Sequence, residues 1–305
     1  MSERSCKPAV SIVIPTYNHA PLLQIALESV RAQTVQDWEA IVVNNYSNDD
    51  TIDVVARFED PRIRLVNFRN NGIIAASRNE GVRHAKADII AFLDSDDIWY
   101  PSKLERCFPV LRPGIVLVCH GELWTRNGAP YLHMIYGPRE KADYRELLLT
   151  GNCLSTSAIL LRKSAFEQAG GFSEAPEIVT AEDYDLWLTL ARNGGRFEFL
   201  NELLGEYRLH GSNETRSVHR HLDAVLAVLN RHFSDRQSHG ILFWIRKRYR
   251  YSRLYADAAN RSLHTGGYVD TLRYGFRSMM SFPLMPFMIV PAGFKFVSQR
   301  MKAGT

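Results

Sequence analysis

The sequence predicts an α/β fold in which a mostly parallel central sheet carries helices on both faces and a helical extension follows. Three observations lead there. In the first third of the chain, apolar runs of strand length alternate with amphipathic stretches of helix length, the pattern that builds parallel sheets. From Ile115 the segments become shorter and mixed. Beyond residue 215 the chain turns helical, aromatic and basic.

The early strands are Val10–Ile14, Trp38–Val43, Arg62–Asn67 and Asp88–Leu93, each built on a short apolar run. Between them, Pro21–Gln33, Asp50–Phe58 and Ile73–Ala87 repeat apolar residues at helical spacing. Ligands of such sheets sit beyond the carboxyl ends of the strands. Pro15–Asn18, Asn44–Asn48 and Asp94–Asp97 are therefore expected to line one cleft. Ile115–Trp124, Ser157–Leu161 and Phe197–Tyr207 read as later strands, and Ala181–Asn193 as a helix with Trp187 on its core face beside Tyr184 and Leu190. Asn127–Lys141 reads as a loop, and the Gly151–Asn152 and Gly170–Gly171 pairs as turns.

Length and charge divide the chain. A total of 305 residues is long for one domain and short for two full ones, so a main domain over 8–215 and an extension over 216–305 are expected. With 46% hydrophobic and 23% charged residues, disorder, a collagen-like fibre and a multi-span membrane protein are excluded. The extension holds 15 Lys and Arg against 4 Asp and Glu, a balance of +11, while residues 1–215 hold 22 against 29, a balance of −7. A basic tail on an acidic body points to an anionic partner for the tail. Cys6, Cys107, Cys119 and Cys153 lack metal-ligand spacing and fit a reducing compartment. The opening MSERSCKPAV has no apolar signal-peptide stretch, so a cytoplasmic location is expected.

Asp94-Ser95-Asp96-Asp97 directly follows an apolar strand. Carboxylates crowded on one turn repel unless a cation neutralises them, and oxygen ligands at this density suit Mg²⁺ or Mn²⁺. A solvated acidic turn is the competing reading. Glu182-Asp183 opens the amphipathic helix that includes Trp187, where acids also serve as partners of the helix dipole. Neither block alone decides between chemistry and structure.

Their order along the chain does. Val10-Ser11-Ile12-Val13-Ile14-Pro15-Thr16-Tyr17-Asn18, then Asn71-Gly72 with Ala76-Ser77-Arg78-Asn79-Glu80-Gly81, resemble the opening blocks of family 2 glycosyltransferases of the GT-A fold. Phe92–Asp97, Ala181–Trp187 and Tyr207-Arg208-Leu209-His210 continue that resemblance, which covers residues 10–212. It implies that Asp94 and Asp96 hold a divalent Mn²⁺ or Mg²⁺, with His210 as a further ligand. The metal would bridge the donor's two phosphates. It implies that Asp183, rather than its neighbour Glu182, is the base that deprotonates an acceptor hydroxyl, inverting the anomeric carbon. Pro15, Thr16, Tyr17, Asn44, Asn45, Arg78, Asp94 and Ser95 then form the donor site, with Arg78 near the diphosphate.

One position departs from the family pattern. Asn44-Asn45 stands where many members carry an acid that reads the base, and an amide can donate as well as accept. A UDP-sugar is favoured, with dTDP- and GDP-sugars open. The resemblance thus implies transfer of a sugar to a hydroxyl of a glycan or lipid-linked acceptor in polysaccharide biosynthesis. The acceptor would be chosen by loops such as Asn127–Lys141. A nucleotidyltransferase and a non-catalytic sugar-nucleotide binding module are the alternatives; the Glu182-Asp183 helix argues against the first, and intact Asp94, Asp96 and Asp183 against the second.

The tail adds a partner. Residues 241–253 interleave aromatics with Arg246, Lys247, Arg248, Arg250 and Arg253, a composition suited to an anionic bilayer surface. Residues 278–294 carry no charge, but Pro283, Pro286 and Pro291 argue against a simple spanning helix. Nucleic acid gives no reason for that apolar stretch, so peripheral contact with the inner face of the plasma membrane is expected. Packing of the tail on the acidic body is the alternative.

Overall fold

The computed structural model describes residues 7–209, 217–234 and 240–282. The chain divides into two compact units, one of residues up to 148 and from 152 to 214, the other of 149–151 and the residues from 215 on.

The first unit opens with β1 (Val10–Thr16), α1 (Ala20–Arg31), β2 (Trp38–Asn44), α2 (Thr51–Arg57), β3 (Ile63–Asn67), α3 (Ile74–His84) and β4 (Ile89–Phe92). These strands pair in parallel in the order β3-β2-β1-β4. Every residue of β1 and β2 is buried, which is why both read as nearly unbroken apolar runs. Helix α3 lies so close on β1 that a Cβ at Gly81 would fall 2.3 Å from Val13 Cγ1. Only glycine permits that approach, and it fixes the height of Arg78, one turn earlier, above the strand ends.

The chain continues through β5 (Ile98–Trp99), α4 (Lys103–Cys107), β6 (Ile115–Arg126), β7 (Ala129–Met134), α5 (Tyr144–Thr150), β8 (Ile159–Arg162), α6 (Lys163–Gln168), α7 (Glu182–Arg192) and β9 (Arg196–Leu209). The sheet extends from β4 as β8-β6-β9-β5, with β7 hairpinned on β6. Strand β8 runs antiparallel to β4 and β6, whereas β6 and β9 are parallel. The sheet is thus parallel in its first half and mixed in its second. The expected loop over 127–141 instead contains β7. Its turn is Asn127-Gly128, both at positive φ (+52° and +76°), a dipeptide suited to tight hairpins.

Among its described residues the second unit holds three helices, α8 (Val218–Phe233), α9 (Ile241–His264) and α10 (Tyr268–Ser281). Leu222, Ala258 and Tyr274, one from each, form its buried centre. Ser252 and Ser278 meet with their hydroxyl oxygens 3.0 Å apart, small side chains that let α9 and α10 approach closely. No described helix is long and apolar enough to cross a membrane. Of the uncharged stretch 278–294, residues 283–294 lie outside the described residues.

Candidate active site

The three strand ends expected to share a cleft adjoin one another. The Asn45 N–H donates to the Thr16 carbonyl at 3.0 Å, joining the ends of β1 and β2. Asn18 Oδ1 accepts the Asn48 N–H at 2.9 Å, and Asp49 accepts the Ala20 N–H that opens α1. His19 Nδ1 lies 3.0 Å from the Ser95 hydroxyl, which brings the acidic turn to the same edge. Asn18 and Tyr46 both take positive φ (+53° each) in these loops. For a residue as bulky as tyrosine that conformation is strained, and such strain concentrates at functional sites.

Pro15 and Thr16 are buried at the end of β1, while Tyr17 is 53% exposed. Thr16 Oγ1 is buried without a hydrogen-bond partner among the described residues. Asn44 is fully buried. Its Nδ2 donates to Asn67 Oδ1 at 2.8 Å and its Oδ1 accepts the Ser47 N–H at 3.0 Å. The amide therefore clasps β2 to β3 and shapes the loop beyond. Asn45 Oδ1 similarly accepts the Asn70 N–H at 3.0 Å.

In the acidic turn the carboxylates are not equivalent. Asp97 is buried; its Oδ2 accepts the Ser157 hydroxyl at 2.6 Å and its Oδ1 the Arg208 N–H at 3.2 Å. Burial, then the charges of Asp96, Glu122 and Asp94, push its pKa well above the ordinary carboxylate range. Asp94 and Asp96 are only partly buried. One Asp94 oxygen accepts from Arg78 Nη2 at 2.7 Å. Arg208 reaches back to the Asp96 carbonyl through Nε.

Arg78 joins this turn to the second acidic pair. Its Nη1 donates to Glu182 Oε1, also at 2.7 Å, and its Cζ lies 5.4 Å from the Phe172 ring centroid. Burial alone would lower the guanidinium pKa, but Asp94 and Glu182 outweigh it and the net shift is upward. The other Glu182 oxygen accepts the Thr180 N–H at 2.8 Å. Thr180 sits at φ +84°, a strained conformation for a β-branched residue, immediately before α7. Glu182 is thus engaged through both oxygens.

Asp183, next in the chain, is not tied to the arginine by a hydrogen bond. It accepts from Asn152 Nδ2 at 3.2 Å and from the Tyr184 N–H at 2.7 Å. Burial, followed by the charge of Glu182, raises its pKa to about 7, with Arg78 pulling the other way. A carboxylate poised there takes a proton at neutral pH.

A group of buried ionisable residues was not singled out in the sequence. Glu122 on β6 accepts the Tyr136 hydroxyl at 2.6 Å, and burial raises its pKa to about 7. Lys103 on α4 donates to the Ile159 carbonyl at 3.2 Å, its Nζ lying 3.5 Å from the Trp99 ring centroid. His120 is buried too, and desolvation lowers its pKa to about 3. Single polar residues within the otherwise apolar strand Ile115–Trp124 were the available signal. His210 lies outside the described residues.

The donor set fits a divalent cation. Asp94 and Asp96 offer accessible carboxylate oxygens, and Mg²⁺-type sites use one or two carboxylates completed by substrate phosphates and water. Among the described residues no cluster of three or more His, Cys, Asp or Glu forms a metal cage.

Residues 11–170 match the glycosyl transferase family 2 model. A Bacillus subtilis protein named as a teichuronic acid biosynthesis glycosyltransferase, TuaG, is 32% identical over 207 residues, 67% of this chain and 80% of its own length. The Escherichia coli UDP-Glc:alpha-D-GlcNAc-diphosphoundecaprenol beta-1,3-glucosyltransferase WfgD is 30% identical over 223 residues, covering 71% and 85%. Among solved structures, the mannosyltransferase PcManGT from Pyrobaculum calidifontis, in complex with GDP-Man and Mn²⁺, superposes with a TM-score of 0.60 over 96% of this chain and 81% of its own, at 17% identity. The fold, the order of the blocks and these matches agree: the chain belongs to glycosyl transferase family 2.

Proposed function

We propose that the protein is a metal-dependent, inverting glycosyltransferase that moves a sugar from a nucleotide donor, with UDP favoured, to a hydroxyl of a glycan or lipid-linked acceptor in cell-surface polysaccharide synthesis. The observation that carries this reading is the bridge by Arg78 between Asp94 and Glu182. It brings the end of β4 and the start of α7 together, which supports a base at Asp183 and a phosphate site at Asp94 acting in one centre.

In the reaction, Asp183 accepts the proton of the acceptor hydroxyl. The oxygen forms a bond to the anomeric carbon as the bond from that carbon to the donor phosphate oxygen breaks, releasing the nucleoside diphosphate. Asp94 and Asp96 would hold Mn²⁺ or Mg²⁺, which when bound supplies Lewis-acid stabilisation of charge on the diphosphate. Pro15, Thr16, Tyr17 and Asn45 wall the nucleotide pocket. The buried Thr16 hydroxyl supports a polar ligand there. The name of WfgD supports a UDP-sugar donor and a lipid-linked acceptor. The basic C-terminal helices would bring the enzyme to the anionic cytoplasmic face of a membrane, where such an acceptor resides.

A thermal-shift panel of UDP, GDP, dTDP and CDP, each with and without Mn²⁺, tests the donor site. Ligand that binds only the folded state raises its melting temperature by mass action. A metal-dependent shift with one nucleotide is expected; no shift with any of them overturns the reading.

A further inference from the structure

We propose that the groove between α9 and α10 binds the phosphate headgroup and proximal acyl chain of an anionic phospholipid. This develops the bilayer contact above, on which it rests, by naming the site and the lipid chemistry.

The groove has a volume of about 450 Å³, within the roughly 300–1,000 Å³ of small-molecule sites. Trp244, Phe276 and Met280 line it with apolar surface, and Lys247, Arg248 and Arg277 supply cations; among the described residues no carboxylate lines it. The cations are held by the groove itself. Arg248 donates to the Ser281 and Met280 carbonyls at 2.8 and 3.0 Å, capping the end of α10. Lys247 Nζ lies 4.3 Å from the Phe233 ring centroid and 4.9 Å from that of Trp244. Burial lowers its pKa, so the ammonium is partly stripped of water and gains from an anion beside it.

The apolar lining of the groove selects the ligand. Trp244, Phe276 and Met280, which line it, are 52%, 60% and 61% exposed. A free phosphate, a sugar phosphate or a nucleic acid would satisfy the cations and leave these side chains in water. A phospholipid offers phosphate to the cations and hydrocarbon to the lining.

The test is co-sedimentation of the full chain with vesicles of phosphatidylglycerol mixed with phosphatidylcholine, against phosphatidylcholine alone. Binding to the mixed vesicles only is expected. Lys247→Gln with Arg277→Gln should lower it more than tenfold, since each cation near an anionic surface is worth about fivefold before any groove-specific contact. Phe276→Ser, which changes no charge, should also weaken it several-fold. Arg220→Gln, an exposed cation of α8 outside both the groove and residues 241–253, should change it by less than the average cation. Equal losses for Arg220→Gln and Lys247→Gln would mean attraction by net charge alone and would overturn the site. Complete competition by millimolar inorganic phosphate would overturn the lipid assignment. Unchanged binding in both the double variant and Phe276→Ser would show the groove closed to lipid. The Mn²⁺-dependent nucleotide shift, measured on the same samples, reports the donor site separately and confirms that each variant is folded.

Discussion

Arg78 and Glu182 are 104 positions apart in sequence, yet Arg78 Nη1 and Glu182 Oε1 meet at 2.7 Å in a buried contact. The other arm of the same guanidinium holds Asp94. The planar fork thus spaces the acidic turn from the first turn of α7, a task for which an ammonium has the wrong shape. Arg78→Lys is expected to lower kcat at least tenfold and to weaken the metal-dependent nucleotide shift. Arg78→Gln leaves a buried carboxylate without its cation, and breaking such a pair costs about 3–5 kcal/mol. Chemical denaturation checks the second outcome. Wild-type stability in Arg78→Gln would mean that the two carboxylates need no common partner.

The raised pKa of Asp183 makes both rate and stability depend on pH. The base works when ionised, so kcat/KM should climb with pH and level off above about 7. Asp183→Asn should lose about 10²–10⁴ in kcat while keeping nucleotide binding. The stability effect has the opposite slope. A carboxyl whose folded pKa lies above its unfolded value contributes stability below the unfolded pKa and loses it as pH rises through the folded one. Between about pH 4 and 7 the wild type should therefore lose melting temperature relative to Asp183→Asn. A flat difference over that window would contradict the assignment.

The acidic turn invites a contrast between neighbours. Asp97 is buried on Ser157 and the Arg208 backbone, whereas Asp96 is partly open. Asp96→Asn is expected to abolish the Mn²⁺-dependent part of the nucleotide shift with little change in the melting temperature of the ligand-free protein. Asp97→Ala should do the reverse in stability, by about 1–3 kcal/mol, because the Ser157 hydroxyl and Arg208 amide lose their acceptor. Titrating Mn²⁺ into both variants separates the roles. A normal metal response in Asp96→Asn would remove it from the ligand set.

Chemistry that sits at strand ends was legible in the sequence, because a parallel sheet brings those ends to one edge whatever the details of packing. Asn18, Asn45 and Ser95 follow that rule. What escaped was pairing at a distance. Nothing near Asn44 in sequence reveals that Asn67, 23 positions on, engages its amide and so clasps β2 to β3. The bridge at Arg78 and the Tyr136–Glu122 contact are hidden for the same reason. Strand β7 is legible in the sequence: Asn127-Gly128 between two apolar runs is a hairpin signal, and both residues take positive φ.

Lys103 supplies a stability signature distinct from that of the carboxylates. Fully buried on the Trp99 ring, it has a pKa lowered to about 7 by desolvation. Above that pH the folded lysine is neutral while the unfolded one still binds a proton, so stability rises with pH toward the unfolded pKa. Asp183 and Glu122, with pKa values near 7, have largely completed their titration by pH 8. The thiol of Cys107, raised to about 11 by burial, works against stability only above about pH 9. Groups other than the lysine titrate in the wild type and in a lysine variant alike, so the difference between the two proteins isolates the lysine. Lys103→Met keeps most of the side-chain volume and removes the titration, so the melting temperature of the wild type minus that of Lys103→Met should rise between about pH 8 and 9. Parallel profiles would show that the lysine stays charged in the folded protein, held by Glu122 and the Ile159 carbonyl strongly enough to offset its burial.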